Sequence, residues 1–429
     1  MGPIGPIEQG RSVSMRGATD TPRASMRGAL AAGAAFTILG ATAKGQGKGF
    51  KVGLIGCGGR GGGALADHMA AAKRLGLESK VVATADWFKG KAEGVGKRWG
   101  LPPERCFGGG DAYRKLLETD VEVVLMATSP NFRPVHFAAA VAAGKHVFME
   151  KPVCVDPPGG RAVIEAGELA RKKGLCVVAG TQRRHSRGYQ ERAFRIQAGV
   201  EGKIVGGCVY WCGGALWRRE RAEGQSDADY MVANWVSFTE MSGDHIVEQH
   251  VHNLDIANWF IGRPPVTAAG FGGRARRKTG NQFDFHSVDY DYGDGVHIHS
   301  MCRQVNGCWG RVGEDFIFAK ALAVAKPDLK VPEFEEIGGA YQQEHADLLK
   351  GILDEKLYIN EARAVAEASL TAVMGRIATY TGRLIRWDDL VKNKDSEWYA
   401  LTCKPSAEDF EKGQVKAPPD DVVAIPGKD

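Results

Sequence analysis

No Cys-x-x-Cys pair occurs in these 429 residues, although nine cysteines are scattered through them. A zinc ribbon or a disulfide framework needs closely paired cysteines, so neither is supported. Cys208 and Cys212 stand on one strand-like stretch, about 13 Å apart at extended-chain rise, too far to bridge. The cysteines read instead as small buried residues. His-Glu-x-x-His is also absent, which removes the zinc-protease helix. No long repeat or low-complexity block is visible. Charge of one sign is scarce. The formal balance is +5, and Arg11, Arg16, Arg23 and Arg27 near the start supply part of it. A nucleic-acid partner is not indicated.

What is present suits a soluble globular chain: 44% hydrophobic and 25% charged residues. The length suits two domains. The first ~45 residues do not read as fold. Arg27 precedes the apolar run Ala29–Leu39, and Ala41-Thr42-Ala43 offers an A-x-A cleavage site. Residues 1–43 are therefore expected to be an export signal. The run is too short to span a membrane permanently. Met26-Arg27 stands where a twin-arginine signal has two arginines, so the route stays open. A leader without fold is the competing reading.

Phe50–Ile55 reads as a buried strand, followed by the turn Gly56-Cys57-Gly58-Gly59-Arg60-Gly61 and a helix. In that setting Gly56 permits the tight turn, Gly58 lets backbone approach a pyrophosphate, and Gly61 lets helix and strand pack closely. A second strand, Lys80–Ala85, ends at Asp86. A carboxylate there accepts hydrogen bonds from a ribose 2′-hydroxyl and repels a 2′-phosphate, which favours NAD over NADP. Two features compete with that reading. Asp86 could cap the helix starting near Lys89, and Lys89 and Lys91 could receive a phosphate. A third strand, Asp120–Ala127, ends in Thr128-Ser129-Pro130-Asn131, turn residues suited to a nucleotide crossing the sheet edge. A fourth, His146–Met149, ends in Glu150-Lys151-Pro152. Pro152 is expected to keep Lys151 extended, off any helix. Repeated strand-helix units predict a parallel, doubly wound sheet over residues 50–179.

These residues resemble the Gfo/Idh/MocA family, named for glucose–fructose oxidoreductase, inositol dehydrogenase and a rhizopine-catabolism protein. The glycine turn, Ala143–Val147, Glu150-Lys151-Pro152 and His252-Asn253-Leu254-Asp255 carry the likeness. Met374-Gly375-Arg376 and Trp387-Asp388 add to it, so the likeness runs from about residue 50 to about 390. The resemblance implies an α/β protein: an N-terminal Rossmann domain, then a C-terminal α/β domain with a large, open, mostly antiparallel sheet. It implies nicotinamide-dependent redox chemistry on a sugar or cyclitol hydroxyl, and homo-dimers or tetramers formed through that sheet. It assigns Lys151 to the reacting carbon and makes His252 the catalytic histidine. The expected cofactor contacts are Gly56, Gly58, Gly59, Arg60, Gly61, Asp86, Thr128, Pro130, Asn131, Glu150 and Lys151. Two departures stand out. Glu248 replaces a common aspartate, and Phe132-Arg133 stands in a loop that often carries two histidines.

Around His252 the residues support a site on their own. Apolar positions from Ile246 to Trp259 predict one helix closed by Gly262 and Pro264. Spacings of four and three would put Glu248, His252 and Asp255 on one face. A carboxylate beside imidazole can hold its proton-accepting tautomer, so Glu248 is expected to tune His252. Rival readings are a metal held by His245, Glu248 and His252, an anchoring role for Asp255, and a core role for His252. No metal is expected.

The second domain is expected over residues 180–390, with a surface tail over 391–429. Arg183 and Arg184 could contact a pyrophosphate, a sugar acid or only solvent. Trp211, with Tyr210 and Trp217, suits a sugar ring or simple packing. Arg218–Arg221 and Arg274–Lys278 read as surface loops. Asp284–Arg303 alternates around Gly293-Asp294-Gly295, a hairpin. The expected activity is hydride transfer between tightly bound NAD, with NADP possible, and a sugar or polyol. The alternatives are glycoside cleavage through transient oxidation by bound NAD, and a sugar-binding protein without catalysis.

Overall fold

The computed structural model describes residues 48–319 and 330–427. The expected signal, residues 1–43, lies outside them.

Six strands make the first sheet: β1 Lys51–Ile55, β2 Lys80–Asp86, β3 Cys106–Gly108, β4 Val123–Met126, β5 His146–Met149 and β6 Val177–Ala179. Their order is β3-β2-β1-β4-β5-β6, and every neighbouring pair is parallel. Strand order reverses between β1 and β4, which opens a crevice at their carboxyl ends. Short runs of Val, Leu and Ile form these strands because helices cover both faces.

The second sheet holds β7 Ile204–Gly213, β8 Thr267–Gly273, β9 Phe285–Asp291, β10 His297–Gln304, β11 Arg311–Phe318 and β12 Ile385–Arg386. Its order is β11-β7-β10-β9-β8-β12; only β7 and β10 pair in parallel. The expected hairpin joins β9 to β10, with positive φ at Gly293, Asp294 and Gly295. One face packs on the helices Val251–Ile261 and Ala362–Thr381. The other carries Phe271, 69% exposed, and Ile317, 62% exposed.

Late helices cross back to the first sheet. Leu348 and Leu349 of the helix Ala340–Leu353 share a core with Leu54, Leu65 and Phe148. The helix Ala362–Thr381 gives Val365 and Ala366 to the first sheet's core, then Val373 and Ile377 to the second's. Small and apolar residues surround it almost completely, as a doubly buried helix requires. All nine cysteines are free. No described helix is long and apolar enough to cross a membrane.

Candidate active site

The glycine turn follows β1. Gly56 has φ +96°, and a Cβ there would lie 2.5 Å from Ala127 carbonyl carbon and Thr128 nitrogen. A Cβ on Gly61 would stand 1.8 Å from the Gly56 carbonyl oxygen. Gly58 caps the helix Gly59–Arg74, and Cβ atoms on Gly58 or Gly59 would meet nothing within 4 Å. That open space fronts the helix's free N–H groups and fits a pyrophosphate. Asp86 Oδ2 accepts the Cys57 N–H at 2.7 Å, and Oδ1 accepts the Phe88 N–H at 2.9 Å. It therefore braces the turn; the helix from Lys89 has no side-chain cap. Gly56, Gly58, Asp86, Lys91 and Thr128 line one cavity. Lys89 turns to Glu93 instead, at 3.6 Å. Glycines that admit backbone and a carboxylate at the ribose position fit an adenine dinucleotide.

The tail backs this cavity. Phe410 packs edge-on to Trp87 and Phe132 at 5.7 and 5.1 Å, and Tyr113 donates to Glu411 at 2.7 Å. Trp87, Phe132 and Tyr113 are cavity walls.

Other expected cofactor residues are committed elsewhere. Arg60 bonds Glu150 and lies 3.5 Å from Glu344 and 3.6 Å from Asp67. Its guanidinium sits over Tyr341, so it ties the first helix to the late one rather than facing the cavity. Pro130 and Asn131 are buried, and the Asn131 amide donates to Met241 sulfur at 3.2 Å. Arg133, which the sequence marked only as a departure, is buried. It donates to the carbonyls of Thr128 and Pro152, pinning the ends of β4 and β5 together. Burial lowers its pKa to about 10.

Lys151 leaves the end of β5 ahead of a cis Pro152. Its ammonium donates to the Glu248 backbone carbonyl at 2.5 Å and to Glu248 Oε1 at 3.1 Å. Here the expectation for Glu248 is corrected. The predicted single helix is broken: His245–Glu248 is one short helix and Val251–Ile261 another. The break ends the four-residue spacing, so Glu248 pairs with Lys151 and not with His252.

His252 stacks on Trp211, centroids 5.6 Å apart. Among the described residues neither ring nitrogen has a hydrogen-bond partner. Burial holds its pKa well below the ordinary range, and the nearby Lys151, Arg183 and His250 push it the same way. The ring is therefore neutral near pH 7 and free to accept a proton.

The two arginines differ from a simple solvated cluster. Arg184 forms a bidentate pair with Asp255, its nitrogens 2.8 to 3.0 Å from the carboxylate, which makes both structural. Arg183 bonds Glu314 beside Trp211, with the cation 6.0 Å from the indole centroid. The sequence missed Glu314, which also accepts from Asn253 at 2.6 Å and Tyr189 at 3.1 Å. It also missed the buried group Asp244, His245 and His286. His245 Nδ1 lies 2.8 Å and His286 Nε2 3.2 Å from the Asp244 carboxylate, so His245 turns away from Glu248 and His252. Glu314 and His286 come from distant segments that no local pattern announces.

Residues 50–181 match the family model described as "Oxidoreductase family, NAD-binding Rossmann fold". The scyllo-inositol 2-dehydrogenase (NAD(+)) of Bacillus subtilis is 26% identical over 194 residues, covering 45% of this chain and 50% of that one. An inositol 2-dehydrogenase of Burkholderia lata is 28% identical over 253 residues, 58% of this chain and 65% of that one. The chain thus matches between half and two-thirds of the length of these relatives. The apo scyllo-inositol dehydrogenase structure from Lactobacillus casei superposes with a TM-score of 0.58 at 18% identity, covering 80% of this chain and 99% of that one. That likeness establishes the fold across both sheets. Residues 50–181 are thus similar to the NAD-binding Rossmann domain of the Gfo/Idh/MocA oxidoreductase family.

Proposed function

We propose that this protein is an NAD-dependent dehydrogenase acting on a secondary hydroxyl of a sugar, cyclitol or related polyol. One observation carries the reading. Lys151, at the carboxyl edge of the nucleotide-binding sheet, is held by the carbonyl and carboxylate of Glu248, four residues before the buried, unbonded ring of His252. Lys151 can donate to the substrate oxygen while Glu248 fixes its position. His252, neutral and unbonded, takes the hydroxyl proton. The carbon's hydrogen leaves as hydride, and the carbon–oxygen bond becomes a carbonyl. Bound in the glycine cradle, NAD supplies the hydride acceptor. The inositol dehydrogenases among the relatives support the substrate class.

Two further parts belong to the proposal. The open face of the second sheet aligns Phe271, Ser287, Met301 and Tyr210 across four strands. With Phe271 and Ile317 exposed on it, this face suits a second copy of the chain. Residues 1–43 direct export, and a tightly held cofactor follows, because free NAD is scarce outside the cytoplasm. A second substrate then restores it. The test is mass spectrometry of nucleotide released on denaturing the purified protein, followed by titration with NAD and NADP. About one NAD per chain is the expected result. A protein that neither carries nor binds either nucleotide overturns the proposal.

A further inference from the structure

The loops expected to be plain solvated surface, Arg218–Arg221 and Arg274–Lys278, meet at a second cavity. It encloses about 320 Å³ and is lined by Trp217, Arg218, Arg276, Arg277, Lys278 and Gln304. Small-molecule sites start at roughly that size. The cavity lies where β7, β8 and β10 finish, at Gly213, Gly273 and Gln304. These three strands run the same way, since β8 and β10 both oppose β9.

Its position joins it to both halves of the candidate active site. On one side Arg277 donates to Gln304 at 2.5 Å, and Gln304 donates to Gln249 at 2.9 Å. Gln249 directly follows Glu248, which holds Lys151. On the other side Trp217 meets Trp235 edge-on at 6.2 Å, and Trp235 lines the nucleotide cavity.

Its charge is unbalanced. Arg60, Arg183 and Arg184 each face a carboxylate. At this cavity Arg218 has Glu220 at 2.8 Å, and Arg277 has Asp284 at 3.7 Å. Asp284, the one acidic lining residue, is also occupied by the backbone N–H groups of Ala275, Arg276 and Arg277. Arg276 reaches only the Asn306 carbonyl, at 3.3 Å, and Lys278 has no partner among the described residues. Crowded cations without a counter-charge favour an anion arriving from outside. Trp217, 48% exposed, offers a flat apolar surface beside them.

We propose that this cavity is an anion subsite for the substrate, so that the polyol is an acidic one bearing a carboxylate or a phosphate. The proposal rests on the dehydrogenase reading for what happens to the hydroxyl, but the binding itself does not. The anionic group pairs with Arg276 and Lys278, and Trp217 covers an apolar face of the ring.

The test is calorimetric titration of the full chain with NAD present. The probes are glucuronate, glucose 6-phosphate, glucose and myo-inositol. An acidic probe is expected to bind at least about tenfold more tightly than the neutral ones. Which acidic probe binds separates carboxylate from phosphate. The double variant Arg276→Gln/Lys278→Gln is expected to erase that preference while leaving NAD affinity unchanged. Both side chains are exposed, so folding should survive, and a thermal melt checks this. Trp217→Leu is a second variant, expected to weaken the acidic sugar and not inorganic phosphate. Equal binding of neutral probes, no binding of either acidic probe, or a preference that survives the double variant overturns the proposal. An acidic sugar that binds without any hydride transfer sustains the subsite and sinks the dehydrogenase reading. Turnover of neutral polyols alone does the reverse.

Discussion

The two sides of the active cleft are built from different materials. The nucleotide side is mostly backbone: Gly56 bends the chain, Gly58 and Gly59 leave space, and Gly61 lets the helix sit on the turn. The substrate side is mostly side chains, Lys151 on Glu248, Arg183 on Glu314 and Arg184 on Asp255, joined across long stretches of sequence. Backbone recognition tolerates little sterically and leans on few side chains, Asp86 chief among them. Side-chain recognition depends on every partner arriving. Substitutions on the two sides should therefore fail differently.

The largest effect should come from the reacting pair. Lys151→Met and His252→Asn should each lower kcat by about 100- to 10,000-fold, with nucleotide affinity unchanged in equilibrium titration. A parallel loss of nucleotide affinity would collapse the distinction between the sides. Next, Arg184→Met strands Asp255, which is 1% exposed. Urea denaturation should show a loss of about 3–5 kcal/mol. Replacing Asp255 by Leu as well should recover most of it, because the buried charge is then gone. On the nucleotide side, Gly61→Ala should cost about 1–3 kcal/mol and weaken NAD binding. Gly58→Ala should leave the melting temperature alone and still weaken NAD, by about tenfold. If Gly58→Ala leaves NAD affinity unchanged, the open space at Gly58 is not a cradle.

The smallest effect is in pH. The active form of His252 is neutral, and protonation removes it. Burial first, then the Lys151 and Arg183 cations, disfavour the imidazolium, so the acid limb of kcat/KM should fall below the ordinary histidine value of about 6.5. Arg183→Gln removes one of those cations and should move the limb upward by up to about one pH unit. A limb at or above the ordinary value in the unaltered protein would show that His252 is not the proton acceptor.

The sequence disclosed the backbone-built side well, because the glycine turn is contiguous and follows directly on a plain strand. The lysine was legible for the same reason: Glu150-Lys151-Pro152 closes a strand whose pattern is plain. The substrate side was harder. Helical spacing joined Glu248 to His252 only if one helix ran through both, and the chain breaks at Gln249 and His250. Arg184 looked like a solvated charge, since its partner lies 71 residues away. Arg60 likewise carried no sign of Glu344, 284 residues on. Charge clusters such as Arg274–Lys278 reveal their sign in sequence but not whether they curve around a cavity.

The helix Ala362–Thr381 limits how this protein can be re-engineered. Its first half belongs to the core beneath the nucleotide sheet and its second half to the core beneath the open sheet. The halves are therefore not interchangeable modules. A chimaera that kept the nucleotide-binding half and borrowed another substrate half would have to match both packing surfaces of one helix at once.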